Sequence, residues 1–188
     1  MSLFDAFLRI EGIEGESQQK GHEKEIEITA FRWNAQNTGS FAGNMGGGSG
    51  KVKMHDFQFS VPVNKASPKL FLACCTGEHI KSATLTVRKA GKTQQEYLKW
   101  KFTDLLISSY NVGAGGSDRA IVSHYRAEGQ TIGGPGSTVE AADILIMPAD
   151  QITFNFTKIE MSYAPQKADG SLGASIPVGF DLKTGVKV

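Results

Sequence analysis

The sequence predicts a mainly β protein, a small β-barrel of two packed antiparallel sheets with one short flanking α-helix. Six or more stretches of the 188 residues alternate apolar and polar side chains, as a half-buried strand does. Turn residues, above all glycine, separate these stretches. Only one segment carries helical spacing together with helix-ending signals, so the helix is an addition to a β fold.

The strand candidates follow one another along the chain, with the helix between the third and the fourth. The strands are predicted at about 3–10, 24–34, 52–63, 82–89, 96–110 and 151–163, with a weaker one near 178–183. Ser67-Pro68 supplies an N-cap and a proline at the first helical position, and Gly77 is the expected C-terminal stop. Leu70, Phe71 and Cys74 between them fall at helical spacing and form a short apolar stripe.

Three strand segments change the parity at which their apolar residues fall: 24–34, 51–63 and 151–163. In the first, Ile26 and Ile28 share one parity, and then Phe31 and Trp33 take the other. Side chains alternate sides along a strand, so a change means either a bulge that re-aims the strand or a strand that buries each face in turn. Both explanations fit a strongly curled sheet that packs against copies of itself.

Composition limits the function classes. A length of 188 residues fits a single domain, 1–188, and a hydrophobic fraction of 40% is enough for a folded core. The formal charge of +1, with lysines and acids interleaved, argues against a nucleic-acid partner. No segment approaches the ~20 apolar residues of a membrane helix, so no membrane partner is expected. The N-terminus lacks the features of a secretory signal, which predicts a cytoplasmic protein whose export would need no cleavable leader.

Searches for catalytic, cofactor and metal motifs give no candidate. Gly50-Lys51 follows a glycine-rich stretch, but Met45 and Val52 stand where a phosphate loop requires Gly and Ser or Thr. His22-Glu23 lacks the second His of a zinc-protease helix, since Ile26 stands at that position. The two adjacent cysteines predict no disulfide framework. We therefore expect no enzyme activity, no cofactor and no metal site.

A set of short motifs follows in order along most of the chain: Gly15-Glu-Ser-Gln-Gln-Lys-Gly-His22-Glu-Lys-Glu-Ile26, Phe31-Arg-Trp33, Gly48-Ser-Gly-Lys51, Asp56-Phe-Gln-Phe59, 65–79, 83–91, Glu96-Tyr-Leu98 and 158–170. Each motif is weak alone, but the ordered set is specific. It resembles the Hcp family (hemolysin-coregulated protein), the tube subunits of type VI secretion systems.

The resemblance implies a homohexameric ring that stacks on other rings into a tube inside a contractile sheath. It also implies that the tube carries and stabilises effector proteins in its lumen, with spike (VgrG-like) and sheath proteins as further partners. Such a protein stays in the cytoplasm before firing and is then secreted, outside the cell or into a target cell. A closed ring needs two different patches on each subunit. The candidates follow the changes of parity: Phe31, Trp33, Phe57, Phe59, Ile159 and Met161.

Two long connections carry further expectations. The extended loop 36–51 is rich in glycine and is the candidate for contact with the next ring, through Gly39, Gly43, Asn44, Gly46, Gly47, Gly48 and Lys51. An insertion around 124–149 departs from the short link that the resemblance implies at this place. Its apolar stretch 144–147 would pack on the barrel or face a partner.

Arg32 is the candidate lumen residue. It lies between Phe31 and Trp33 and points opposite to them, so burial of the aromatic rings leaves Arg32 on an open surface. That surface is either the channel or the outer wall. Two alternatives to the secretion tube remain: a phage-like tail-tube protein, with the same architecture in another machine, and a β-barrel that binds a small ligand inside.

Overall fold

The computed structural model describes residues 4–37, 39, 51–89, 94–113, 148–167 and 169–188. Within these ranges one helix, α1 (Ser67–Thr76), accompanies the strands. In chain order the strands are β1 (Phe4–Ile10), β2 (Ile26–Glu27), β3 (Ala30–Arg32), β4 (Ala35–Asn37), β5 (Val52–Met54), β6 (Phe57–Pro62), β7 (His79–Lys89), β8 (Glu96–Gly113), β9 (Ala149–Tyr163), β10 (Ile176–Asp181) and β11 (Val186–Lys187). The mainly β fold with antiparallel sheets confirms the predicted fold class.

Most strands form one antiparallel sheet that folds over itself. Its order is β11-β10-β9-β8-β7-β1-β2, and β6 is a further neighbour of β9, with β3 beyond it. Residues 158–163 of β9 lie between β8 and β10, whereas residues 149–154 lie between β8 and β6. We call β11, β10, β1 and β2, with the ends of β9, β8 and β7 beside them, the upper half. We call β3 and β6, with the opposite ends of β9 and β8, the lower half. A separate ribbon pairs β4 with β5.

The two halves meet at a line across β7, β8 and β9. Lys81, Asp104 and Thr157 lie on this line, where the regular register omits one pair on each side of β8. The buried parity of each strand changes there, so that Phe156 before the line and Ile159 after it are both buried. Asp104 has a φ of 61°, a left-handed conformation that turns the strand. The fold line therefore lets both halves turn an apolar side toward one core.

The other two changes of parity are interruptions between strands. β2 pairs with β1, whereas β3 pairs with β6, so the chain passes from the upper to the lower half between Glu27 and Ala30. Likewise, β5 belongs to the ribbon and β6 to the lower half. The structure thus explains all three changes within one subunit. The parity change in 151–163 comes from a continuous strand that is re-aimed at the fold line. The parity changes in 24–34 and 51–63 come from breaks between strands, which the sequence did not predict.

An aromatic cluster fills the space between the halves. The ring centroid of Phe102 in the upper half lies 4.8 Å from that of Phe57, 5.0 Å from Phe156 and 5.1 Å from Phe154. Aliphatic residues from both halves surround the cluster, including Leu8, Leu85, Leu105, Ile107 and Ile152. Burial of this apolar surface stabilises the fold by roughly 1.5–3 kcal/mol for each large side chain.

Helix α1 packs against β8 through Leu70 and Ala73, which are buried. It ends at Gly77, whose left-handed φ of 65° confirms the predicted stop. The predicted N-cap is wrong by one residue, because Ala66 occupies the N-cap position, without a side-chain capping hydrogen bond, and Ser67 is the first helical residue. Ser67 Oγ instead accepts a 3.0 Å hydrogen bond from the Asn64 N–H, which fixes the turn before the helix. No helix in the described ranges has the length and apolarity that a membrane crossing requires.

Candidate assembly surfaces

The lower half carries polar side chains on the side opposite the core. Residues paired across strands share a face, and the register places them in two rows over β3, β6, β9 and β8. The rows are Arg32, Gln58, Thr153 and Ser109, and then Ala30, Ser60, Gln151 and Asn111. All are exposed or half-buried, and apart from Ala30 all are polar. We call this surface the polar face.

Hydrogen bonds hold the polar face together. The Arg32 guanidinium donates to Gln58 Oε1 at 3.1 Å, so its partner is a neutral amide. The Ser108 hydroxyl lies within 3.1 Å of Thr153 Oγ1 and also donates to the Asp56 carboxylate. Among the ion pairs of the described residues none involves Arg32. The face is therefore wettable and mostly neutral, and Arg32 adds a positive charge to it.

A cleft of about 410 Å³ lies where the polar face meets the ribbon. Arg32 and Gln58 line it from the polar face, and Lys53 and His55 line it from the ribbon and the residue that follows. Trp33 forms part of the wall and donates its indole N–H to the His55 carbonyl at 2.9 Å. The cleft thus combines cationic, amide and aromatic groups.

A second surface is apolar and lies at the β9–β10 edge of the upper half. Pairing places Tyr163 beside Ile176 and Met161 beside Val178 on one face of the sheet. Tyr163, Ile176 and Val178 are 42%, 57% and 45% exposed, and Met161 is half-buried. This apolar strip, the four residues just named, continues the core-facing side of the sheet out to the surface. Contiguous exposed apolar surface makes the strip a candidate contact site for another protein.

The remaining predicted interface residues lie in or against the core of the subunit. Phe57, Phe59 and Ile159 are 1%, 0% and 5% exposed, which leaves them no surface for a neighbour. Phe31 and Trp33 are half-buried and pack against the same core. Of the predicted set, only Met161 joins an exposed apolar surface.

Most of the predicted stacking loop lies outside the described residues. The structure places Gly39 and Lys51 at the exposed ends of the connection between β4 and β5. Outside the described residues lie Gly43, Asn44, Gly46, Gly47 and Gly48, together with the insertion 124–149 except its last two residues.

A polar cluster that the sequence did not predict covers the far side of β1. His22 is buried, and its ring stacks on that of Phe7 with centroids 4.3 Å apart. Its Nδ1 lies 2.8 Å from a Glu25 carboxylate oxygen, and its Nε2 lies 3.3 Å from one of Glu96. The guanidinium of Arg88 lies over the same Phe7 ring at 4.5 Å. The cluster attaches the segment before β2 to the barrel. The motif from Gly15 to Ile26 contains His22 and Glu25, but its residues alone do not predict their contacts.

A hydrogen bond between a half-buried tyrosine and a buried aspartate joins the end of β8 to the start of β9. The Tyr110 hydroxyl donates a 2.9 Å hydrogen bond to Asp150, which is 0% exposed. Burial, and then the Asp150 carboxylate, raise the pKa of Tyr110 to about 12. Tyr110 therefore stays a neutral donor beside a buried carboxylate. The two residues are 40 positions apart, and the sequence held no sign of their contact.

The geometry has counterparts among known proteins. The family model described as "Type VI secretion system effector, Hcp" matches residues 7–163. Protein hcp1 of Pseudomonas aeruginosa is 33% identical over 186 residues, covering 97% of this chain and 98% of that protein. The crystal structure of Hcp1 from Salmonella typhimurium aligns with a TM-score of 0.69 at 27% identity, covering 100% of both chains. A type VI secretion system effector from Yersinia pestis aligns with a TM-score of 0.63 at 28% identity, covering 94% of this chain and 99% of that one.

These likenesses extend over nearly the whole chain and agree with the fold. They confirm the resemblance seen in the ordered motifs and the β-barrel architecture, which in Hcp proteins forms a hexameric ring. The chain therefore belongs to the Hcp family and is a structural, tube-forming protein of the type VI secretion system.

Proposed function

We propose that the polar face lines the channel of the Hcp ring and that the chain acts there by contact, without catalysis. The polar face carries this proposal, because a water-filled channel needs a wettable wall. Small side chains such as Ser60 and Thr153 leave the channel wide, while the opposite side of the same strands is closed by the core. Arg32 then projects from the wall and repeats around the ring.

The apolar strip is proposed to lie at the contact between neighbouring subunits in the ring. A standard interface hides about 800 Å² per partner and is most apolar at its centre. Ile176 and Val178 offer exposed apolar surface at the sheet edge, and Met161 supports them from β9. In a closed ring the strip meets a different surface of the next subunit, because such contacts are head to tail.

The loop 36–51 is proposed to contact the next ring in the stack. Glycine backbones conform to a partner at an entropic cost, so each contact is weak and stacking depends on many of them. Deleting 43–48 should leave rings intact but impair tubes, as seen by electron microscopy. Normal tubes from the deletion variant would contradict this role.

The proposed cargo of the channel is secreted effector protein, and the spike and sheath proteins of the machine are the proposed outer partners. The protein would remain in the cytoplasm until firing and then leave with its cargo. This part of the proposal rests on family membership and on a polar wall that can contact a folded protein without denaturing it.

Charge reversal at Arg32 tests the channel assignment. Arg32→Glu should change the amount of effector that co-purifies with the ring, because it inverts the charge of the proposed wall. Arg9→Glu, at an exposed position of β1, is the matched control and should leave co-purification unchanged. Equal co-purification with wild type and Arg32→Glu would count against the channel role.

A further inference from the structure

The cleft beside Arg32 has the features of a binding site for anionic groups. We propose that it binds carboxylate groups of acidic peptide segments, so that each subunit offers the cargo an anion site. The cargo role rests on the proposed function, whereas binding of a peptide to the cleft does not. The first ground is size: a cleft of about 410 Å³ lies within the range of about 300–1,000 Å³ typical of small-molecule sites. An acidic side chain with its adjoining backbone fits such a volume.

The second ground is charge. Arg32 and Lys53 both line the cleft, and neither takes part in an ion pair with any described residue. Among the described residues of the lining Asp56 is the one carboxylate, and it accepts a hydrogen bond from the Ser108 hydroxyl. Two cationic side chains therefore stand against one carboxylate among the described lining residues, a formal balance of +1 that attracts an anion. Arginine suits a carboxylate in particular, because its planar guanidinium binds both oxygens at once.

The third ground is unused hydrogen-bonding capacity. Arg32 has one described hydrogen bond, to the neutral Gln58 amide, and its other N–H groups are available to a ligand. His55 also lines the cleft and adds an imidazole to the groups around it. The unused N–H groups of Arg32 are therefore the hydrogen-bond donors that an entering carboxylate would meet.

The fourth ground is the wall of the cleft. Trp33 and Met54 are half-buried and add apolar surface next to the cations. Such a wall fits the methylene groups of a glutamate side chain while the carboxylate reaches Arg32. The cleft therefore suits a glutamate-bearing peptide better than a small inorganic anion, which would leave the wall uncovered.

Fluorescence anisotropy with purified rings and a fluorescein-labelled hexaglutamate peptide tests the assignment. We expect saturable binding by the wild type and none by the labelled hexaglutamine peptide. Arg32→Gln and Lys53→Gln should each weaken binding about tenfold, as expected for loss of a charge-assisted contact. Asp56→Asn should tighten it, because it removes the competing carboxylate. Each variant is first shown to be folded by an unchanged thermal midpoint.

Arg9→Gln and Lys101→Gln are matched controls that remove the same charge at exposed positions away from the cleft. They should change the affinity less than twofold. Absence of hexaglutamate binding, equal binding of hexaglutamine, or equal weakening by the controls would each overturn the assignment. If hexaglutamate binds as expected but effector co-purification is unaffected by Arg32→Gln, the anion site stands and the cargo role fails.

Discussion

Replacing Phe57 by Ala tests whether the apolar residues of β6 belong to the core of one subunit. Phe57 is 1% exposed, and its ring centroid lies 4.8 Å from that of Phe102 and 5.1 Å from that of Phe154. Removing the ring leaves a cavity, so the variant should lose about 3–5 kcal/mol of unfolding free energy. With a urea dependence of about 2 kcal/mol per molar, the midpoint falls by about 2 M.

Urea titration followed by tryptophan fluorescence measures this change, since Trp33 and Trp100 pack against the core. Phe71→Ala on α1 is the matched control, because Phe71 is 53% exposed and should lose no more than about 1 kcal/mol. Sedimentation velocity should show that the folded fraction of Phe57→Ala still forms rings. A variant with the wild-type urea midpoint and no rings would refute the core assignment and return Phe57 to the subunit interface.

Three further changes have defined outcomes. The pKa of Tyr110 is raised to about 12, so the stability that its protonated form contributes at and below pH 10 is lost as the pH rises toward 12. Tyrosine absorbance should show a late titration that Tyr110→Phe removes. The hydrogen bond from Lys183 lowers the pKa of Asp104 below its usual 3.8. The stability that the ionised Asp104 contributes is therefore lost as the pH falls through this lowered pKa. Thermal melts at pH 6 and pH 3 should differ less in Asp104→Asn than in wild type. Gly15→Ala places a Cβ 2.2 Å from a backbone oxygen and should lower the free energy of unfolding, measured by urea titration, by about 1–3 kcal/mol. The control Gly113→Ala places its Cβ where nothing lies within 4 Å and should leave that free energy nearly unchanged.

Strand positions could be predicted from the sequence because burial of one face leaves a period of two. The alternation of Phe57, Phe59 and Val61 marks strand β6 and its buried side, and the stop at Gly77 follows from its left-handed conformation. The family could also be identified, because the ordered motifs depend on residue identity and not on the path of the chain. The strand alternation and the helix stop depend on neighbouring residues, and the family resemblance adds up along the sequence, so none of them requires knowledge of which strands pair.

The path of the sheet could not be predicted, because it depends on pairing between distant residues. Asp104 turns β8 at the fold line with a φ of 61°, although aspartate gives no sign that this conformation is required. From the sequence the segment 24–34 reads as one strand with a parity change, because a chain that leaves one pairing partner for another shows the same pattern as a bulged strand. The parity changes therefore follow from curling within one subunit, and of the residues they singled out Met161 alone joins the apolar strip.

The candidate surfaces were predictable only in part. The position of Arg32 opposite two half-buried aromatic residues follows from alternation, and the structure places it on the polar face. Predicting the other residues of the polar face requires the pairing register of β3, β6, β9 and β8, and the sequence of a single strand does not reveal its register with a neighbour. The same holds for the apolar strip, because Met161 and Val178 become neighbours only through pairing of β9 with β10.

A reconstruction of the assembled ring by electron cryomicroscopy tests the central claim most directly. The account predicts that Arg32, Gln58 and Thr153 face the central axis, with the apolar strip covered by the neighbouring subunit. A ring in which these three side chains lie on the outer wall, or are buried between subunits, would contradict it.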